Sequence, residues 1–497
     1  MTAPSPDGVV QFYERHLREG PDRVAVSTEN GGALSYGEIW SLARKVQGWL
    51  ADVGVVPGDR VAIALDNEVH TPAALLGTFL AHACAVPMAE DGRDPAFILG
   101  DAGCRAALVS RVPGPVASVM GEQATLAMER VCGLEPAASG TGAPAADELA
   151  LLIYTSGSTG QPRGVVCHHG QVAHAIAGMQ QRLKYRADDV VYCCLPPSFD
   201  YGLYQYFLSA AAGARVLGAD GAGILSVVGT LARNGVTVLP AVPTLLVSMV
   251  KSRMLERIEL PQLRLLTSTG DTFPPSLIER IQSLLPQVSI TAMYGLTECK
   301  RVSILTAEER RQRPGSVGRA LDTLTASVVD GDGQPLPPGS EGELVIRGPH
   351  VMSGYWHRPE ETARRFLGDT LFTGDRFVID EEGYLYFCGR MSSFIKCNGV
   401  MVSPSEVEKV LSSLDGVDHA AVVGLPDSAR GQKVAAVLSC PAGMAPSLGR
   451  VQSHCRALLP SEAIPLSMRI VSALPRTPNG KIDRVAASTL FDEDRAP

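Results

Sequence analysis

An apolar run, Leu151, Leu152 and Ile153, leads directly into Thr155, Ser156, Gly157, Ser158, Thr159 and Gly160, and then into Arg163 and Gly164. Residues of these types can hold a phosphate chain. Glycine lets the backbone turn with positive φ and bring its N–H groups onto phosphate oxygens. The hydroxyls of Thr155, Ser156, Ser158 and Thr159 add donors, and Arg163 adds a permanent positive charge. The run is not the G-x-x-x-x-G-K-S/T loop, so a standard P-loop nucleotidase is disfavoured. Taken alone, it also fits a Ser/Gly-rich surface turn with no chemical role.

Three later segments carry further reactive groups. Met293, Tyr294, Gly295, Leu296, Thr297 and Glu298 end in a hydroxyl beside a carboxylate. A hard cation such as Mg2+ takes a carboxylate oxygen and keeps waters and phosphate oxygens as its other ligands; a solvated loop carboxylate is the plainer reading. Lys481 follows Pro478, Asn479 and Gly480, a turn composition, and an ammonium there could offset charge in an anionic transition state or be an ordinary exposed lysine. Asp200 stands among Phe199, Tyr201 and Tyr204. A carboxylate among aromatic side chains is costly to bury unless it meets a cation. The competing role is the capping of a local turn.

These segments fall in one order along the chain, and together they resemble the adenylate-forming superfamily of acyl-CoA synthetases, stand-alone and modular peptide-synthetase adenylation domains, and luciferases. The hydroxyl–glycine run is similar to its signature loop, with Arg163 where the family usually has lysine. Met293–Glu298 resembles its Y-G-x-T-E motif, Thr373-Gly374-Asp375 its T-G-D motif, Gly389-Arg390 with Lys396 and Gly399 its hinge motif, and Pro475–Lys481 its P-x-T-x-x-G-K motif. The resemblance extends over nearly the whole chain, residues 33–65 included. It implies that Tyr294 lies against adenine, that Thr297 touches the α-phosphate, and that Glu298 is the Mg2+ ligand. It implies further that Gly270 and Asp271 contribute to the nucleotide site, that Asp375 and Arg390 reach the ribose, and that Lys481 sits between the substrate carboxylate and the α-phosphate. Lys481, Thr297, Glu298 and Arg163 are the implied catalytic groups. One departure stands at the hinge, where Ser392 and Ser393 replace the usual acidic pair. Ser392 can still absorb hinge torsions, but the polar contacts of an Asp are lost.

The implied reaction has two halves. A carboxylate oxygen attacks the α-phosphorus of ATP, and a clamp of Mg2+, Lys481, Arg163 and loop N–H groups offsets the repulsion of two anions. Pyrophosphate leaves an acyl-adenylate, and a thiol of coenzyme A or of a carrier-protein phosphopantetheine then displaces AMP. By position, Phe199, Asp200, Tyr201, Tyr204, Pro240, Thr267, Thr269, Met293, Arg301 and Val302 line the acid pocket. Residues 196–204 resemble the substrate-recognition segment of amino-acid adenylating domains, where an Asp after Phe pairs with the substrate ammonium, so the resemblance implies an amino acid or another acid with a positive or donor group. Arg301 binds a second anionic group, pairs with Asp200, or belongs with Lys300 to a solvated charge pair. The expected function is therefore activation of an amino acid for an acyl or peptidyl carrier protein in natural-product biosynthesis. The alternatives are a ligase delivering an aryl or fatty acid to coenzyme A, and a non-catalytic adenylate-binding relative.

The elements that must position these groups alternate between helix and strand. Ser35 and Glu38 form an S-x-x-E capping box, and Ile39, Leu42, Val46, Trp49 and Leu50 recur at helical spacing up to Gly54. Arg60–Leu65 reads as a buried strand. Such alternation through the next three hundred or so residues indicates an α/β layered fold, and Glu135–Asp147 reads as a surface linker. Past Gly389 the texture changes, with a capped helix starting at Ser403, Pro404 and Glu406, strands at 420–423, 434–438 and 468–471, and a short helix near 451–458. The expected fold class is α/β: a large N-terminal body over 1–390, with layered α/β sheets and a distorted β-barrel, and a small mobile α+β domain over 391–497.

Length and composition agree with this. At 497 residues the chain exceeds a single core, and 45% hydrophobic with 19% charged residues is ordinary for a soluble globular protein. A net charge of −8 with no basic run excludes a nucleic-acid binder. Eleven cysteines without C-x-x-C spacing read as reduced thiols. Met1–Gly8 lacks the build of a signal peptide, and Ala73–Met88 is too short and interrupted to span a membrane. A cytoplasmic monomer or homodimer is expected.

Overall fold

The helix Tyr36–Asp52 begins at a reciprocal cap. The Glu38 N–H donates to Ser35 Oγ at 3.2 Å, and the Ser35 N–H donates to Glu38 Oε2 at 2.7 Å. Its Ile39, Leu42, Val46 and Leu50 are buried, the stripe that their spacing requires. This computed structural model describes residues 8–92, 94–137, 142–156, 161–219, 224–270, 273–391, 394–398, 400–427, 430–441, 443–476 and 482–491. The chain divides into two units, Met1–Ala326 with Ile346–Phe372, and Ser327–Val345 with Thr373–Pro497.

Two mixed sheets build the first unit. One has eight strands in the order 303–305, 289–294, 265–268, 238–241, 190–193, 215–218, 24–28 and 33–35. Its middle strands run parallel, and helices Ile224–Arg233, Pro243–Lys251 and Pro275–Leu284 connect them in sequence. Strands buried on both faces are largely apolar, and Val238–Ala241 and Leu265–Ser268 are buried at every position, the latter ending on the polar Thr267 and Ser268 at the carboxyl edge. Val228, Leu231, Leu246, Met249, Ile278 and Ile281 from the helices pack with Leu239, Leu266 and Ile290 from the strands. The other sheet has six strands in the order 125–127, 104–109, 60–64, 84–87, 149–156 and 162–168. Ala73–Met88 contributes to the buried helix Thr71–Leu80 and the strand Cys84–Pro87. Among the described residues no helix is long and apolar enough to cross a membrane.

In the second unit the strands His419–Asp427 and Gly431–Ser439 pair antiparallel, and Ser467–Val471 adds parallel to the latter. Side chains alternate across a strand, and here both sides are covered. Ala420, Val422, Val434, Ala436 and Leu438 pack with Val407, Leu411, Val451 and Cys455. Ala421, Val423, Leu425, Ala435 and Val437 pack with Leu474, Ala487 and Phe491. The helix Pro404–Ser412 forms with Pro404 in its first turn, but Ser403 does not cap it. The Ser403 hydroxyl instead reaches the Cys388 carbonyl oxygen at 3.0 Å, so a neighbouring strand wins it from the helix. All eleven cysteines are free thiols.

Candidate active site

Strands Leu149–Ser156 and Pro162–His168 pair antiparallel, with Thr155 opposite Arg163 and Ser156 opposite Pro162. Gly157, Ser158, Thr159 and Gly160 lie outside the described residues, as do Asp271, Ser392, Ser393, Gly399 and Lys481, and only the backbone of Ser156 is described. Arg163 is held on two sides. Its Nη1 lies 2.8 Å from Glu361 Oε2, and its guanidinium carbon lies 4.5 Å from the centroid of the Tyr355 ring. The Tyr355 hydroxyl donates to Glu298 Oε1 at 2.6 Å. Burial, then the Glu298 carboxylate, push the Tyr355 phenol up, so it stays protonated and donates.

A short segment makes this chain of contacts possible. The Met352 N–H donates to the Glu298 carbonyl at 2.8 Å, the Ser353 N–H to Val166 at 3.1 Å, and the Trp356 N–H to Gly164 at 2.8 Å. Residues 352–356 therefore tie the turn after strand Ser289–Tyr294 to the strand that carries Arg163. Glu298 is only 7% exposed, which overturns the reading of a solvated loop carboxylate. Burying it is tolerable because a phenol donor meets it, with Arg163 behind that phenol. No group of three or more His, Cys, Asp or Glu gathers as a metal site among the described residues. Glu298 is thus a lone carboxylate with Oε2 not hydrogen-bonded there, a donor set suited to Mg2+ that keeps phosphate oxygens and waters.

Tyr355 and Glu361 were not legible as site residues. The local sign was an aromatic pair, Tyr355-Trp356, behind Gly354, with no periodicity to place it. Tyr355→Phe is expected to remove a hydrogen bond to a buried charge, which contributes about 1.5–3 kcal/mol. The expected result is a lower Tm together with a drop of about tenfold in ATP–pyrophosphate exchange; an unchanged Tm and rate would remove the positioning role.

The acid-side residues gather where neighbouring parallel strands end. Pro240 pairs in register with Thr267, and Thr267 with Thr291 on the strand that continues to Met293 and Tyr294. The carboxyl ends of parallel strands are the usual ligand face of such sheets. Helix Asp200–Ala212 presents Tyr201 and Tyr204, both buried, one turn apart. The Tyr201 hydroxyl lies 2.6 Å from the Thr267 hydroxyl and 2.9 Å from its carbonyl oxygen. Arg301 Nη1 donates to Thr269 Oγ1 at 2.9 Å, and its guanidinium carbon lies 5.3 Å from the Tyr201 ring centroid. Phe199 meets Tyr201 edge to face, and the Val302 N–H donates to the Tyr294 carbonyl at 2.9 Å.

Three corrections follow. Lys300 and Arg301 are 3% and 6% exposed, so they are not a solvated charge pair. Among the described residues Arg301 forms no ion pair with Asp200, its guanidinium being drawn to Thr269 and the Tyr201 face. Asp200, half-buried, is the first residue of its helix, and the helix has no side-chain cap bond, which sets aside the turn-capping role. The helix N-terminus favours its negative charge without binding it.

In the second unit Asp375 and Arg390 stand opposite each other on strands Thr370–Ile379 and Leu385–Arg390. Arg390 Nε lies 3.2 Å from Asp375 Oδ1, with Asp375 buried and Arg390 exposed. Two motifs fifteen residues apart are brought side by side by one antiparallel pairing.

A largely parallel sheet with Tyr201, Thr267, Thr269 and Arg301 gathered at its carboxyl ends, together with the buried Glu298 carboxylate, is the arrangement of an enzyme that binds small ligands at that face. The chain belongs to the AMP-binding enzyme family, whose pattern it matches over residues 13–356, and residues 406–481 match the AMP-binding enzyme C-terminal domain. It is an AMP-forming, ATP-dependent ligase of the adenylate-forming superfamily. It is 31% identical over 503 residues to the AMB antimetabolite synthetase AmbB of Pseudomonas aeruginosa, covering 98% of this chain but 39% of that protein. It is 30% identical to 4-coumarate–CoA ligase 5 of Oryza sativa subsp. japonica, over 95% of this chain and 92% of the ligase. Its fold matches o-succinylbenzoate CoA synthetase from Bacillus subtilis in complex with an acyl-adenylate intermediate, with a TM-score of 0.84 and 27% identity over 95% of this chain and 96% of that one.

Proposed function

We propose that the protein activates an amino acid as its adenylate with ATP and Mg2+, then passes the aminoacyl group to the phosphopantetheine thiol of a carrier protein. The observation that carries the choice of acid is Asp200, a half-buried carboxylate beside Tyr201 and Tyr204 with no hydrogen bond or ion pair among the described residues. A substrate ammonium would supply the missing partner. The substrate carboxylate oxygen bonds to the α-phosphorus as the bond to pyrophosphate breaks. The thiol sulfur then bonds to the acyl carbon as AMP leaves with the electron pair. In this reading Glu298 holds Mg2+, Thr297 meets the α-phosphate, Tyr294 and Gly270 border the nucleotide, Asp375 and Arg390 hold the ribose, and Lys481 joins from residues 391–497, the small domain that swings between the two half-reactions. The similarity to an antimetabolite synthetase favours natural-product biosynthesis as the setting. The near full-length match to a plant CoA ligase favours coenzyme A as the second reading.

ATP–pyrophosphate exchange over amino, hydroxy, aromatic and fatty acids tests the first half. Asp200→Ala is expected to weaken kcat/KM for the preferred amino acid by about 10²-fold, and far less for its deaminated analogue. Equal losses for both would discard the ammonium pairing. Mass shifts on candidate carrier proteins, with coenzyme A as competitor, decide the acceptor.

A further inference from the structure

The cluster around Tyr201 and Tyr204 holds more positive charge than its partners among the described residues use. Lys300, Arg301 and Tyr204 are 3%, 6% and 2% exposed. Yet among the described residues Arg301 Nε and the Tyr204 hydroxyl have no hydrogen-bond partner, and Lys300 Nζ meets only the Cys167 thiol. All three are donors, since burial pushes the Tyr204 phenol far up and keeps it protonated. The Lys300 ammonium lies 5.8 Å from the Tyr204 ring centroid, and Arg301 lies over the adjacent Tyr201. Against these two cations stands Asp200, which pairs with neither among the described residues, while Glu298 is taken by Tyr355. The nearby Cys167 thiol is pushed up by burial, although the Lys300 charge pulls the other way. It supplies no anion at neutral pH.

The backbone is strained to place Lys300 there. Its φ is +61°, and the Arg301 N–H closes a three-residue turn onto the Cys299 carbonyl at 2.8 Å. Turns of this kind with a positive central φ are rare and strained. The turn also demands a glycine opposite, because a Cβ on Gly295 would fall 2.1 Å from the Lys300 carbonyl oxygen. A buried cation that meets a neutral thiol and no carboxylate among the described residues, on a strained residue, is costly twice over. A ligand that brings acceptor oxygens and negative charge would recover both.

We infer that the acid activated here carries a second anionic group, bound by Lys300, Arg301 and Tyr204. This rests on the reading that the pocket around Tyr201 and Tyr204 holds the acid. It is compatible with Asp200 meeting an ammonium, and an amino acid with an acidic side chain satisfies both demands.

The test is ATP–pyrophosphate exchange on the full chain with matched pairs: succinate against succinamate, glutamate against glutamine, aspartate against asparagine, together with aliphatic and aromatic monoacids. The preferred acid is expected to exceed its own amide by about 10²-fold in kcat/KM. Lys300→Met and Arg301→Gln are each expected to erase most of that preference. Lys300→Met, which removes a buried charge with no carboxylate partner among the described residues, is expected to leave Tm equal or higher. A neutral monoacid or amide preferred by the unmodified protein overturns the inference and leaves the ligase reading standing. Variants that lower Tm and slow all acids equally also overturn it, because that is a structural role. An increase in KM for ATP with acid preference intact overturns it in favour of phosphate binding. Exchange with no acid at all overturns the ligase reading itself.

Discussion

Glu298→Gln is expected to slow ATP–pyrophosphate exchange by about 10²–10³-fold, the scale of removing one electrostatic contributor from a preorganised site. Glutamine keeps the volume and an amide oxygen that accepts from Tyr355, so the contacts among Glu298, Tyr355 and Arg163 survive. What disappears is the one negative charge at the end of the Tyr294–Glu298 turn that a hard cation would use. The loss should therefore be partly recovered at high Mg2+, while Tm stays near that of the unmodified protein. A rate within about threefold of the original at low Mg2+ would remove Glu298 from the metal role.

Lys481→Ala is expected to abolish adenylation, by about 10²-fold or more, while leaving the fold intact. Lys481 belongs to a Pro-Asn-Gly turn composition at the end of the family pattern. The two half-reactions should separate in this variant. With acyl-adenylate supplied, transfer to the thiol should proceed at close to the ordinary rate, because that step no longer needs charge between the carboxylate and the α-phosphate. Equal losses in both steps, or unchanged exchange, would end the assignment.

Much of the candidate site could be proposed along the chain because its parts are local motifs. A run of hydroxyls and glycines after an apolar strand, or a carboxylate behind Tyr294 and Thr297, offers groups for phosphate and Mg2+ by composition, and only their order along the chain lifts them above a surface turn or a solvated carboxylate. The fold class was legible for a related reason. Helical and strand periodicities are short-range patterns, and the Ser35 capping box and the buried strand Arg60–Ala64 appear where spacing places them.

The tertiary structure decided the rest, through burial and long-range pairing. The Arg163–Tyr355–Glu298 contacts join residues nearly two hundred and nearly sixty positions apart, and no pattern in sequence measures such a distance. Exposure was equally invisible. Lys300-Arg301 looks like any charged dipeptide on paper, and only a turn with positive φ, packed against a glycine, turns both cations inward. Residue type thus determined which chemistry this chain can perform. Its folding decided which charges water may still reach, and so which of them must wait for a ligand.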